Sequence, residues 1–277
     1  MSPEPPLPGS DGSDSISIKL IQELQVGHEK TSQVFVVRCM NSSSSPHIPN
    51  DQDMVAKFYD PLYDDFEEYP FFGTDYQYTH ECAAYMHLSA LHGVVIPRFF
   101  GSYTLRINIG ERFRLVRLIL IERVDGPSMD SLKPETFPRE ERQEIMKQIV
   151  AGESSIYAKD VRHLNLRPRN VVVKRHNSGK LRIVIIDLGM SVIGRSRFPS
   201  DSREENRYFP GVAISPLLRW NAFYGHQGFF PEWINWPWQA WLEVQYKDTE
   251  DTITSEQRER YKIYDWMLDN NRRPPPI

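Results

Sequence analysis

Cysteine is nearly absent from this chain of 277 residues, which holds only Cys39 and Cys82. Two thiols cannot build the disulfide framework of a small secreted domain, so the expected setting is a reducing compartment, cytoplasmic or nuclear. Also missing is any apolar run near the roughly 20 residues that span a bilayer. The best candidate, Leu115–Ile121, is broken by Arg117. The opening stretch MSPEPPLPGSDGSDS has neither the basic nor the apolar region of a signal peptide. Basic residues do not exceed acidic ones: the net charge is −4 and the pI is near 6.1. That balance gives no electrostatic reason to expect nucleic acid or an anionic membrane as partner. Asn41-Ser42-Ser43 fits a glycosylation sequon, but without a secretion signal it reads as a polar loop.

What is present is an ordinary globular composition, 40% hydrophobic and 25% charged, in a chain long enough for one large domain or two lobes. Residues 1–15 read as a disordered tail, too poor in apolar side chains to offset the entropy of ordering. Ile16–Val26 and Val34–Met40 suggest a hairpin, and Met54–Tyr59 a third strand after a Ser/Pro/Asn-rich loop at 41–52. Residues 60–77 form an acidic, aromatic insertion, read either as a surface loop or as an embellishment of its own. A helical stretch follows at Tyr78–Leu91, then strands at Gly93–Phe100 and Arg112–Ile121, completing a five-stranded sheet with one helix. Pro138–Lys159 carries Ile145, Ile149, Ile156 and Tyr157 at helical spacing. Ile183–Ile186 is a buried-strand run. Near the C-terminus, Trp220, Trp233, Trp236, Trp238 and Trp241 gather around Pro231 and Pro237, either as a docking surface or as the core of a small subdomain.

One octapeptide, His163-Leu164-Asn165-Leu166-Arg167-Pro168-Arg169-Asn170, resembles the catalytic loop H-R-D-x-x-x-x-N of protein kinases. Upstream, Val55-Ala56-Lys57 resembles the V-A-I-K strand, and Glu81 would be the ion-pair partner of that Lys. Downstream, Asp187-Leu188-Gly189 resembles the D-F-G turn. The signals occur in the family's order over roughly residues 18–190. The chain thus resembles the protein-kinase-like superfamily as a degenerate member. The resemblance implies an α+β, two-lobed fold: an N-lobe at 16–123 with a small sheet and one main helix, then a shortened, mainly helical C-lobe at 124–268, with a tail at 269–277. Glu122–Gly126 would be the hinge between them.

The same resemblance assigns residues. Val26, Gly27, Val34, Ala56, Val172 and the hinge groups of Glu122 and Val124 would line an adenine site, with Ile121 behind it. Lys57 and Glu81 would serve the phosphates, and Asn170 and Asp187 would hold Mg²⁺. Several positions depart from the pattern. With Val34 aligned to the phosphate-cover loop G-x-G-x-x-G-x-V, only Gly27 keeps its glycine, while Glu29 and Ser32 occupy the other two positions. Leu164 replaces the Arg that receives a phosphorylated activation loop, Arg167 replaces a Lys, and no A-P-E sequence follows. Most telling, Asn165 replaces the proton-accepting Asp, and a neutral amide cannot act as a base at pH 7.

The expected function is therefore a pseudokinase, with weak or absent ATP and Mg²⁺ binding and little phosphotransfer, acting as a binding or regulatory module for a protein partner. Two alternatives stay open: an active phosphotransferase on protein or small-molecule hydroxyls, and a ligand-free interaction domain.

Overall fold

The computed structural model describes residues 12, 15–28, 30–41, 48–49, 51–63, 72–175, 178–195 and 206–264. It is a mixed α/β protein. The N-terminal part is an antiparallel sheet of five strands in the order β1-β2-β3-β5-β4. Its strands are β1 (Ser17–Gln25), β2 (Gln33–Asn41), β3 (Asp53–Tyr59), β4 (Phe99–Ile109) and β5 (Arg112–Glu122). The sheet with its helix is compatible with the N-terminal lobe of a protein kinase.

Two expectations shift. The run Gly93–Phe100 is mostly a turn: Gly93 adopts φ +69° and donates its N–H to Ile96 at 2.8 Å. Val94 and Val95 suggest a strand by composition, but Ile96 is fully buried beneath this turn, and β4 begins only at Phe99. It then runs to Ile109, where a tight turn with Gly110 at φ +60° returns the chain into β5. The helix α1 (Phe72–His87) starts earlier than expected, absorbing the last residues of the acidic insertion, and a short 3₁₀ turn at Ser89–Leu91 completes it. Of the rest of the insertion, Pro61–Tyr63 form a short 3₁₀ turn and 64–71 lie outside the described residues, as do Glu29, most of the N-terminal tail, the tail 269–277 and much of the loop before β3.

Each face of the sheet has its own core. On one, Tyr59, Ile119 and Ile121 meet Ala84 and Tyr85 of α1 and Leu88 just beyond it, and the cluster continues into Ile156, Val161, Ile185 and Leu188. On the other, Met54, Ala56 and Phe58 pack with Val37, Leu118 and Leu120.

The C-terminal part is organised by α2 (Arg139–Tyr157), whose buried face carries Ile145, Ile149, Gly152 and Ile156. Gly152 permits close approach, since a Cβ there would sit 3.1 Å from Ile185 Cδ1. Against α2 lie the hairpin β7 (Val171–Arg175) and β8 (Leu181–Ile185), and the small ladder of β6 (Val161–Arg162) with β9 (Val192–Ile193). Beyond them come the single turn α3 (Pro216–Arg219), α4 (Trp238–Gln245) and α5 (Ser255–Arg260). Trp220, Trp233, Trp236, Trp238 and Trp241 all belong to one core with Ile145, Met146 and Ile149, so they fill the subdomain and do not form a docking surface. Arg219 fixes α3 to α2 through a buried two-pronged pair with Glu153, at 2.8 and 2.5 Å, while Trp220 Nε1 donates to the same carboxylate at 2.9 Å. No helix among the described residues is long and apolar enough to cross a membrane.

Candidate functional site

Strand β3 presents Lys57 on the face that α1 covers. There Lys57 Nζ donates to Glu81 Oε2 at 2.5 Å and to Asp187 Oδ1 at 2.9 Å, which brings a strand, a helix and the D-L-G turn to one point. Tyr59, two residues along the same strand face, donates its hydroxyl to Glu81 Oε2 as well. Burial opposes the charge on Lys57, but Asp187 and Glu81 outweigh it and hold the ammonium above its ordinary value. Lys57 beside Asp187 keeps that carboxyl below the usual range. Burial pushes the Glu81 carboxyl up, against the pull of Lys57. Glu81 is fully buried, and its second oxygen, Oε1, has no hydrogen-bond partner among the described residues.

The segment 163–170, which resembles the catalytic loop, adjoins Asp187 through His163. His163 is buried, and its Nε2 lies 3.0 Å from the carbonyl oxygen of Ile186. A carbonyl only accepts, so Nε2 carries the proton and Nδ1 is free to accept the Asn165 N–H at 3.3 Å. Burial lowers the His163 pKa, so the ring is a neutral structural tie between this loop and the strand leading to Asp187. Asn170 is oriented by two bonds: its Nδ2 donates to the Asn165 carbonyl at 2.8 Å, and its own carbonyl accepts from Ile186 N at 2.9 Å. The amide nitrogen is thereby used and Oδ1 is left as the ligand-type atom. Asp187 holds φ +63°, a left-handed conformation uncommon for a non-glycine residue.

The side chain of Asn165 is engaged too, its Oδ1 accepting from Arg169 Nη2 at 3.1 Å. Arg167 turns to the other side of the loop. Its guanidinium lies 5.0 Å from the Phe229 ring centroid, in the wall of a cavity of about 370 Å³.

Among the adenine-site residues, Val34 pairs directly with Lys57 in the sheet register and is half-buried; Val172 is buried and Val26 is 44% exposed. Glu122 ends β5, donating its N–H to the Arg98 carbonyl and accepting the Arg98 N–H on its carboxylate; Val124 is half-buried beyond it. Ala56 is misassigned. Side chains alternate along a strand, so a residue next to Lys57 must face the opposite way, and Ala56 is buried in the outer-face core with Met54 and Phe58. V-A-I-K separates its Ala and Lys by one residue, whereas Val55-Ala56-Lys57 does not; Val55, two before Lys57, shares its face.

The loop between β1 and β2 is closed by its own side chains. Gln33, only 5% exposed, accepts the Gly27 N–H on Oε1 at 2.7 Å and returns its Nε2 to the Gly27 carbonyl at 3.0 Å. Thr31 donates to Gln77 Oε1 of α1 at 2.7 Å, and that same Gln77 oxygen would lie 3.2 Å from a Cβ at Gly189. Gln33 and Gln77 thus matter to the site, and neither stands out in the sequence, since a lone glutamine carries no pattern.

The two ends of the cleft differ in fitness for Mg·ATP. At the metal end, Asn170 Oδ1 and the Asp187 carboxylate suit a hard cation that completes its shell with phosphate oxygens and water. At the cover end, the Gly27 N–H that would face a phosphate is already satisfied by Gln33.

Among curated proteins, the chain is similar to one named "Putative cyclin-dependent kinase F-2" of Oryza sativa subsp. japonica, with 34% identity over 86 residues. The match covers 29% of this chain and 25% of that protein, so the chain spans about a quarter of the relative's length. No protein-family profile matches the chain. The similarity points to a kinase relationship over that stretch alone.

Proposed function

We propose that the chain is a two-lobed protein-kinase-like domain, with lobes at 16–123 and 124–268, that works as a pseudokinase: a binding or regulatory module for a protein partner. The observation that carries this reading is the state of Asn165. The position that needs a proton acceptor holds an amide, and its acceptor oxygen is already bound by Arg169. The Gln33 closure of the cover loop argues the same way, because a polyphosphate must first displace it.

In this reading Asn170 and Asp187 would hold a metal and Lys57 would bind phosphate oxygens. Bound there, Mg·ATP would supply a transferable phosphoryl group with its charge balanced by the metal. The chain's own residues position without accepting a proton: Lys57 stays charged between two carboxylates, His163 ties the loop to Ile186, and Asn165 can orient a hydroxyl. The intact Lys57–Glu81 pair and the directed Asn170 amide favour one rival, a slow phosphotransferase.

A thermal-shift titration with ATP, with and without Mg²⁺, tests binding, and radiolabelled ATP with generic protein substrates tests transfer. The expected outcome is a weak shift and no turnover, with Asn165→Asp restoring little. Turnover by the parent protein would establish the rival, whereas a gain of about a hundredfold or more in Asn165→Asp, the range a general base supplies, that vanishes on adding Asp187→Ala would point to a single loss in an otherwise working enzyme.

A further inference from the structure

Arg195, eight residues beyond Asp187, is a fully buried cation outside the site described above. A guanidinium has five N–H groups in a fixed fork; four of them donate to main-chain carbonyls, and the fifth, on Nε, lies at ion-pair distance from a carboxylate without making a hydrogen bond to it. Nε lies 2.8 Å from Asp160 Oδ1 as an ion pair. Nη1 donates to the carbonyls of Tyr208, at 3.0 Å, and Phe209. Nη2 donates to the carbonyls of Tyr157, at 2.9 Å, and Val212, at 2.7 Å. The plane of the group stacks on the Tyr157 ring, 4.3 Å from its centroid.

Asp160 closes the arrangement. It sits at φ +58°, accepts the Gly194 N–H on its carbonyl at 2.6 Å, and accepts the Gly211 N–H on both carboxylate oxygens at 2.8 and 2.9 Å. Immediately beside it, β6 pairs with β9, and His163 follows β6 directly. The chain after the D-L-G turn, the chain returning at 208–212, the end of α2 and the root of the catalytic-loop segment are thus fastened at one point.

We propose that Arg195 and Asp160 form a constitutive clasp that holds the returning segment 208–212 in place without covalent modification. A device that responds to phosphorylation needs a cation with donors to spare, because the added phosphate must find charge-assisted bonds that did not exist before. Both Nη groups of Arg195 are fully spent, and its Nε lies against Asp160 inside the core, where a phosphate has no access. Its charge is met by Asp160, its remaining donors are spent on main-chain carbonyls, and it is out of reach of solvent. The carbonyls belong to the backbone and are present whatever the modification state. The conformation of this segment is therefore fixed by folding. This inference does not depend on the pseudokinase reading, since it concerns no nucleotide contact.

The test is amide hydrogen exchange on the full chain, following Gly194, Gly211 and Val212 beside reference amides at Val173 and Ile185 in the β7–β8 hairpin. Arg195→Lys keeps the charge but not the fork. It is expected to speed exchange at the three clasp amides by about tenfold to a hundredfold, the worth of one or two charge-assisted bonds, with the reference amides unchanged. Asp160→Asn, a milder change that keeps the shape, is expected to act in the same direction if Arg195→Lys fails to fold. Phosphatase treatment of the purified protein is expected to leave all of these rates as they were. Equal acceleration of clasp and reference amides in both variants would show an ordinary core arginine and overturn the proposal. So would unchanged exchange in both, or clasp protection that falls with phosphatase.

Discussion

Replacing Lys57 with Met should be far more than the removal of a phosphate contact. Lys57 lies between Glu81, whose side chain is fully buried, and Asp187, whose side chain is 33% exposed. Removing the ammonium leaves the Glu81 carboxylate in an apolar cluster where, among the described residues, only the Tyr59 hydroxyl donates to it. Breaking one partner out of a buried ion pair costs about 3–5 kcal/mol, a large part of the total stability of a typical domain. The cost should depend on pH in a defined direction. Burial already raises the Glu81 carboxyl in the parent protein, and loss of Lys57 removes the main force opposing that rise. A carboxyl whose folded value lies above its unfolded value favours the folded state at low pH and loses that contribution as pH rises through the folded value. The variant should therefore lie closest to the parent in mild acid and fall furthest behind in mild alkali. Urea unfolding of both proteins between about pH 5 and 8 measures this, and Lys57→Met with Glu81→Leu should recover most of the loss, because no charge is then stranded. A penalty below about 1 kcal/mol, no more than an exposed pair is worth, or a penalty independent of pH would refute the reasoning.

Three further outcomes follow from the geometry. Gly126→Ala should cost about 1–3 kcal/mol by overpacking, because a Cβ there would lie 2.6 Å from the Val173 carbonyl oxygen; chemical denaturation checks it. Gln33→Ala should tighten Mg·ATP binding by about tenfold, the worth of one freed hydrogen-bond donor, measured by calorimetry; an unchanged affinity would mean that the cover loop is not what limits binding. Asp187→Asn should flatten the acid limb of the stability curve, since the Asp187 carboxyl is held below its ordinary value by Lys57. Its contribution is complete above the unfolded carboxyl value and is lost as pH falls through the folded one, so a variant lacking that group should show a smaller loss of stability in acid.

The sheet and its principal helix were legible because alternation and helical spacing are consequences of burial, which sequence records directly. Lys57, Glu81, Asn170 and Asp187 could be assigned to a common cleft for a different reason: their order resembles a family. Where only composition spoke, the reading slipped. Val94-Val95-Ile96 is as apolar as a strand, yet it is a turn packed over a core, and tertiary contact decides between the two. Ala56 went astray by one residue, which on a strand means the other side of the sheet. Arg195 and Gln33 left no trace at all, because a polar side chain that bonds main-chain groups needs no partner of a particular type. Apart from the Asp160 carboxylate beside Arg195, their partners are main-chain carbonyls and N–H groups, which every sequence has everywhere.

The placement of the tryptophans has a practical consequence. All six stand at position 220 or later, and none lies in the sheet or in α1. Five of them share one core, with ring centroids as close as 4.8 Å between Trp238 and Trp241 and 5.8 Å between Trp236 and Trp241. Their emission should be blue-shifted in the native state and should move red when that core admits water, while remaining silent to events confined to the five-stranded sheet. Intrinsic fluorescence therefore watches one end of the chain, whereas far-ultraviolet dichroism watches the secondary structure of both. Overlaid melting curves would show whether the two ends come apart together or in sequence, with no label attached.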